Sequence, residues 1–290
     1  MIIIIIFILL LIALTDFQMN QYIAKHIYQD GKTFTYNEIQ QKYPLIITNH
    51  KKPIYVFFHI CTQGNNWNKI LTSQLKCIIS SGLYDKCTTI WYGCSCNMCV
   101  SLLKDYFAPY DKIKPLQNAM CNEVKSYENM TLNNMIIFCR ELQIDANCLY
   151  IHTKGTTEKY KSQNAWRDYM MHWLVKEHEI SLELLNRGFY TVGTLYKNST
   201  YKNSTISSLG RHYSGNFFWV KSKYMKNLPI IYNISNRYEA ESLVFKNYTP
   251  GKHACINKDV FTETIFRLGL YKYNIKIIPQ PKENLEYIII

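Results

Sequence analysis

An α/β domain, with helices flanking a mostly parallel central sheet, is the fold this sequence predicts. Three observations carry it. Residues 54–60 (IYVFFHI) form an unbroken β-branched and aromatic run, the pattern of a strand buried on both faces. Residues 66–80 follow with apolar side chains at Trp67, Ile70, Leu71, Leu75, Ile78 and Ile79, a helical spacing that Gly82 ends. The alternation then recurs down the chain, and strands alternating with helices imply parallel βαβ units.

The later elements follow in order. Residues 88–93 (TTIWYG) read as a second strand, 130–142 as a helix and 148–152 (CLYIH) as another buried strand. The longest helical stretch is 164–187, with Trp166, Met170, Trp173, Ile180 and Leu184 on one stripe and Gly188 as its stop. Strands are expected at 190–195 and 216–220, and a short helix at 237–245. Tyr-Lys-Asn-Ser-Thr at 196–200 is duplicated at 201–205. Too polar to pack, it is expected to be a flexible loop covering the mouth of a site. One domain over 51–290 is predicted, behind a mixed polar lead-in of a helix and loops over 16–50 and a hydrophobic leader over 1–15.

Residues 2–14 are an unbroken apolar run. That is short for a bilayer span, which needs about 20 residues, but suits the core of a signal peptide. No Lys or Arg precedes the run, whereas Lys25 and Lys32 follow it, so the charge asymmetry matches neither a standard signal nor a type II anchor. The expectation is a secretory or membrane-associated protein touching the membrane through 2–14, with a cytoplasmic location as the alternative. Asn-x-Ser/Thr sites at Asn129, Asn198, Asn203, Asn233 and Asn247 add little in so Asn-rich a chain.

A chain of 290 residues, 48% hydrophobic, buries enough surface to fold without metals or disulfides. Its net charge of +12 raises the question of an anionic partner. Ile, Asn, Lys and Tyr are abundant together, as in an AT-rich genome, and no basic run or zinc-finger pattern occurs, so no nucleic-acid partner is expected. Of ten cysteines, Cys139 and Cys148 sit in apolar stretches and read as core. Cys94, Cys96 and Cys99 match no closed zinc pattern and are expected to be loop thiols or a disulfide.

Function in a doubly wound sheet gathers where strands end, so the residues after each strand are the candidates. After the first strand, His59, Thr62 and Gly64 form a small polar turn whose backbone amides suit a nucleotide. After 148–152 come His152, Thr153, Lys154 and Gly155: cations for a diphosphate leaving group and a glycine for close backbone approach. Arg167 is either a phosphate clamp or a surface helix residue. His212, Ser214, Gly215, Asn216 and Trp219 set hydroxyl, amide and imidazole groups beside aromatic rings, the chemistry that binds sugars. Glu239 and Glu241 are candidate general bases; the competing reading of Glu241 is an i,i+4 pair with Arg237, worth about 0.2–0.5 kcal/mol.

Taken in order, HxxxxGNxW, SGLYDKC, LYIHTKG, WRDYM, HYSGNFFW and RYEAE resemble the small glycosyltransferase-like proteins of bacteria and large DNA viruses. The resemblance spans about residues 54–245 and implies a GT-A fold, the nucleotide-diphospho-sugar transferase type. It implies a donor side at His152, Thr153 and Lys154, an acceptor side at His212, Ser214, Gly215 and Asn216, and Glu241 as base. The expected activity is transfer of a sugar from a nucleotide sugar to a hydroxyl acceptor; the alternative is a non-catalytic carbohydrate-binding protein on the same fold. The sequence contains no Asp-x-Asp, the motif by which such enzymes hold Mn²⁺ or Mg²⁺, which leaves the cofactor undefined.

Overall fold

A computed structural model of the chain describes residues 31–46, 51–94, 98–120, 128–156, 162–198, 210–233, 236–257 and 285–290. The hydrophobic leader lies outside the described residues, as do Cys96 and most of the duplicated repeat.

The strands are β1 (Lys32–Thr35), β2 (Ile54–Ile60), β3 (Thr89–Cys94), β4 (Ile113–Met120), β5 (Asn147–His152), β6 (Thr191–Thr194), β7 (Tyr196–Asn198), β8 (Arg211–Tyr213), β9 (Phe218–Lys221), β10 (His253–Asn257) and β11 (Glu286–Ile289). Nine of them form one sheet in the order β1-β11-β10-β6-β9-β5-β2-β3-β4, and β7 pairs with β8 in a separate ribbon. The three strands expected at 54–60, 88–93 and 148–152 lie side by side and parallel, with β4 extending that block. β6 and β10 are also parallel, but β9 runs antiparallel to both β5 and β6, and β11 antiparallel to β10 and β1. The sheet is therefore mixed rather than mostly parallel. A strand buried on both faces shows the same apolar run in either direction, so its composition carries no direction signal.

Helices cover both faces, which is why the central strands are apolar throughout. One face packs α1 (Tyr36–Lys42), α2 (Trp67–Ser80), the short α3 (Leu83–Lys86), α4 (Met98–Phe107) and the segment 162–186 over Val56, Phe58, Leu149, Ile151, Val192 and Trp219. The other packs α5 (Asn129–Glu141), α8 (Ser222–Met225) and α9 (Arg237–Ser242) over Phe57, Cys148, Tyr150, Phe218 and Val220.

Three expectations need revision. The long helix is α6 (Ser162–Met171), a π-helical turn (His172–Lys176) and α7 (His178–Asn186). Within that turn the Leu174 carbonyl accepts the Trp219 indole N–H at 2.7 Å, an inter-element bond at an irregularity in the helical ladder. The polar lead-in contributes β1 and α1 to the fold, with a capping box between Thr35 and Glu38 and Ile39 fully buried. The repeat is not wholly a loop either, since Tyr196 is buried in β7. Among the described residues no helix is long and apolar enough to cross a membrane.

Gly193 in β6 offers a direct test of this packing. A Cβ there would lie 2.3 Å from Tyr213 Cγ, in a rigid ring fully buried against the sheet. Gly193→Ala is expected to destabilise by about 1–3 kcal/mol through overpacking, read as a lower urea midpoint at unchanged m-value.

Candidate functional site

From β2 the chain moves outward through β3 to β4, then returns to place β5 on the other side of β2. The helices change face with it: α2 and α4 pack on one side, α5 on the other. Such a reversal opens a crevice at the carboxyl ends of the two central strands. His59 and His152 are partners across it. Thr153 then ties the two following loops together: its N–H donates to the His59 carbonyl at 3.0 Å, and its hydroxyl accepts the Cys61 N–H at 2.7 Å. From α2, the buried Gln74 amide donates to the His152 carbonyl at 3.0 Å.

Glu128, which the sequence did not single out, organises the floor of the crevice. Its Oε2 accepts from Asn216 Nδ2 at 2.7 Å and from the Tyr150 hydroxyl at 3.2 Å. His152 Nδ1 stands 3.4 Å from the same oxygen, at ion-pair distance but without hydrogen-bond alignment. The side chain keeps 24% of its surface exposed, so a ligand can reach it. Charged acceptors of this kind make the stronger class of hydrogen bond. Beside it, His59 Nδ1 is 2.9 Å from the Thr131 hydroxyl of α5. Gly93, the partner of His59 in β3, allows this approach, because a Cβ there would lie 2.3 Å from Thr131 Oγ1. Burial pushes the His59 imidazole down to about 4, with the Glu128 carboxylate pulling the other way and His152 adding to the depression.

The wall is a turn closed by the Asn216 N–H on the Tyr213 carbonyl at 2.9 Å. Gly215 has φ 93° and Asn216 φ 57°, and a Gly215 Cβ would meet Met170 Sδ at 2.6 Å and Trp166 Nε1 at 2.9 Å. Only glycine satisfies both the conformation and the space. Asn is among the residues that tolerate the left-handed region, and here that conformation aims its amide at Glu128. Lys154 Nζ lies 4.2 Å from the Trp166 ring centroid, a cation–π contact that holds the ammonium beside Gly215. Arg167 is buried rather than displayed on the helix surface, and donates to the Lys154 carbonyl at 3.0 Å. It braces the loop that carries Lys154. Burial lowers its pKa, with Asp168 opposing.

The remaining candidates divide. Thr62 contacts Cys99 Sγ, and Gly64 is exposed at the outer end of the β2 loop; Gly155 turns the β5 loop with φ 89°. Ser214 is buried, its N–H on the Leu195 carbonyl at 3.0 Å. His212 and Glu241 form a second group at the β7–β8 ribbon. Burial lowers the His212 pKa, while a bond to the Gly210 carbonyl and the Glu241 charge oppose it. Glu239 is 3.1 Å from Lys246 Nζ, a surface pair of little energetic weight. Trp219 is fully buried with its N–H spent on Leu174, so its ring is core and offers no face to a sugar. Cys99 is disulfide-bonded, and Cys139 and Cys148 are buried core thiols with sulfurs 3.9 Å apart. Among the described residues no group of three or more His, Cys, Asp or Glu is placed to hold a metal ion.

The chain belongs to a family described as a domain of unknown function (DUF8361), whose profile matches residues 55–276. That span runs from β2 past β10 and contains every residue of the crevice. No curated protein matches the chain.

The neutral histidines fix the sign of a pH effect. Burial holds His59 at about 4 and His253 at about 3, against 6.5 for an ordinary imidazole. Below about 6.5 the unfolded chain therefore binds more protons than the fold, and stability falls as pH drops from there through about 4. The His59 contribution is on the order of 3 kcal/mol, fully present above about 6.5. Urea unfolding of wild type and His59→Gln at about pH 7 and about pH 4.5 should show a shallower pH dependence in the variant.

Proposed function

We propose that the chain is a GT-A-like glycosyltransferase that moves a sugar from a nucleotide-sugar donor to a hydroxyl acceptor. The observation that carries this reading is the convergence of the β2 and β5 loops, Lys154 and the Glu128 cluster on one crevice at the carboxyl edge of parallel strands. The central block β4-β3-β2-β5, followed by a reversed β9, is compatible with that fold type.

In this mechanism the diphosphate lies against the backbone of 61–64 and the Lys154 ammonium. The acceptor oxygen attacks the anomeric carbon, a C–O bond forms, and the bond to the diphosphate breaks with its electron pair leaving on oxygen. Lys154 neutralises that charge. The hydroxyl proton goes to a carboxylate, and Glu128 is the better candidate than Glu241. It is partly exposed and oriented by Asn216 and Tyr150, whereas Glu241 faces His212 at the ribbon. Arg167 acts as a positioning residue through the Lys154 carbonyl.

The second reading, a non-catalytic carbohydrate-binding protein, is favoured by the absence of Asp-x-Asp from the sequence. Kinetics separate the two. With a panel of nucleotide sugars, Glu128→Gln should retain donor binding and lower kcat by about 10²–10⁴. Lys154→Ala should weaken both donor binding and turnover. Loss confined to Glu241→Gln would return the base role to that residue. A donor that binds wild type yet is never transferred or hydrolysed would favour the binding protein.

A further inference from the structure

At the opposite, amino edge of the parallel strands lies a group of side chains that the crevice does not use. Lys221 ends β9 opposite Asn147, the first residue of β5, and is only 7% exposed. Lys52 precedes β2, Lys223 lies in α8 and Lys252 precedes β10, so three further ammonium groups meet at the same edge. Among the described residues one carboxylate, that of Asp145, stands among them. Asp145 is 3.6 Å from Lys52 Nζ and 3.9 Å from Lys223 Nζ, and is half exposed. Among the described residues the Lys221 ammonium makes no hydrogen bond and no ion pair. Burial, then Lys52 and Lys223, push it down to about 8; Asp145 opposes and Lys252 adds to the depression. A solvated basic edge accounts for Lys223 and Lys252, which are exposed, but not for a buried lysine facing three others.

The cluster continues into a depression of about 400 Å³ lined by Tyr190, Lys223, Tyr224, Asn227, Asn247 and Thr249. Tyr190 and Tyr224 stack at 5.2 Å, and Lys252 Nζ lies 5.9 Å from the Tyr190 ring. Ammonium groups recognise tetrahedral oxyanions, while a half-buried tyrosine edge beside amides and a hydroxyl suits a sugar ring. We propose that this edge is a second binding site, taking a sugar phosphate or sugar sulfate with its oxyanion on Lys52, Lys221, Lys223 and Lys252 and its ring in the depression beside Tyr190, Asn227, Asn247 and Thr249. The site is independent of the transferase reading.

Calorimetric titration of the full chain with glucose 6-phosphate, glucose 6-sulfate, inorganic sulfate and glucose tests it. Both esters should bind more tightly than inorganic sulfate, and glucose not measurably; the tighter ester identifies the natural oxyanion. Lys221→Met should weaken ester binding at least about tenfold, the scale of one lost charged contact. Lys154→Ala should leave it unchanged. Should Lys221→Met fail to fold, the exposed double variant Lys223→Ala/Lys252→Ala is expected to give the same loss. Binding of glucose 6-sulfate should also weaken as pH rises past about 8, where Lys221 sheds its proton among Lys52, Lys223, Lys252 and Asp145. Absence of ester binding at millimolar concentration, or binding that Lys154→Ala abolishes and the lysine-edge variants keep, overturns the proposal.

Discussion

The parallel pairing of β2 with β5 is the constraint on which the candidate site rests, because these two strands are neighbours in space but separated in sequence by α2, α3, β3, α4, β4 and α5. Their register sets His59 against His152, and Thr153 continues the ladder beyond both strand ends by donating to the His59 carbonyl and accepting from Cys61. A shift of one residue would turn one of the two histidines to the opposite face of the sheet and uncouple the loops. Such a slip would carry an imidazole from its polar partners Thr131 and Glu128 to the face where Phe58 and Ile151 pack in an apolar core.

Polar groups this deep need partners, and each helix face supplies some. Thr131 reaches His59 from α5, Gln74 reaches the His152 carbonyl from α2, and Arg167 reaches the Lys154 carbonyl from α6. Glu128 collects Tyr150 and Asn216 from β5 and the β8–β9 turn. These bonds position the groups at the crevice before a ligand arrives. Against that background the buried Asn216 Oδ1 and Trp166 Nε1, beside the turn that Gly215 permits, have no hydrogen-bond partner among the described residues.

Much of this edge was legible because its residues directly follow buried strands. IYVFFHI and CLYIH announce their strands by composition alone, so His59, His152, Thr153 and Lys154 could be assigned to strand ends without coordinates. Glu128 could not, since it lies in a polar stretch after β4, a strand whose own pattern is interrupted, and gains meaning only through contacts with Tyr150 and Asn216. Trp219 was misread for the converse reason: an aromatic beside small polar residues looks the same in a sugar platform and in a core, and here it is core. β4 escaped notice because Pro115 interrupts its pattern, which a strand at the sheet edge tolerates. The direction of β9 and the π turn inside 162–186 depend on tertiary packing rather than on periodicity.

The central claim, that the switch-point crevice receives the donor, is most directly tested by hydrogen exchange with and without a nucleotide sugar that stabilises the protein. A donor at about 100 times its Kd adds about 2.7 kcal/mol, enough to see protection clearly. Donor binding should slow exchange at the amides of 61–64 and 153–155, and Lys154→Ala should diminish that protection. Protection confined to the ribbon around His212, or to the Tyr190–Tyr224 edge, would contradict the account.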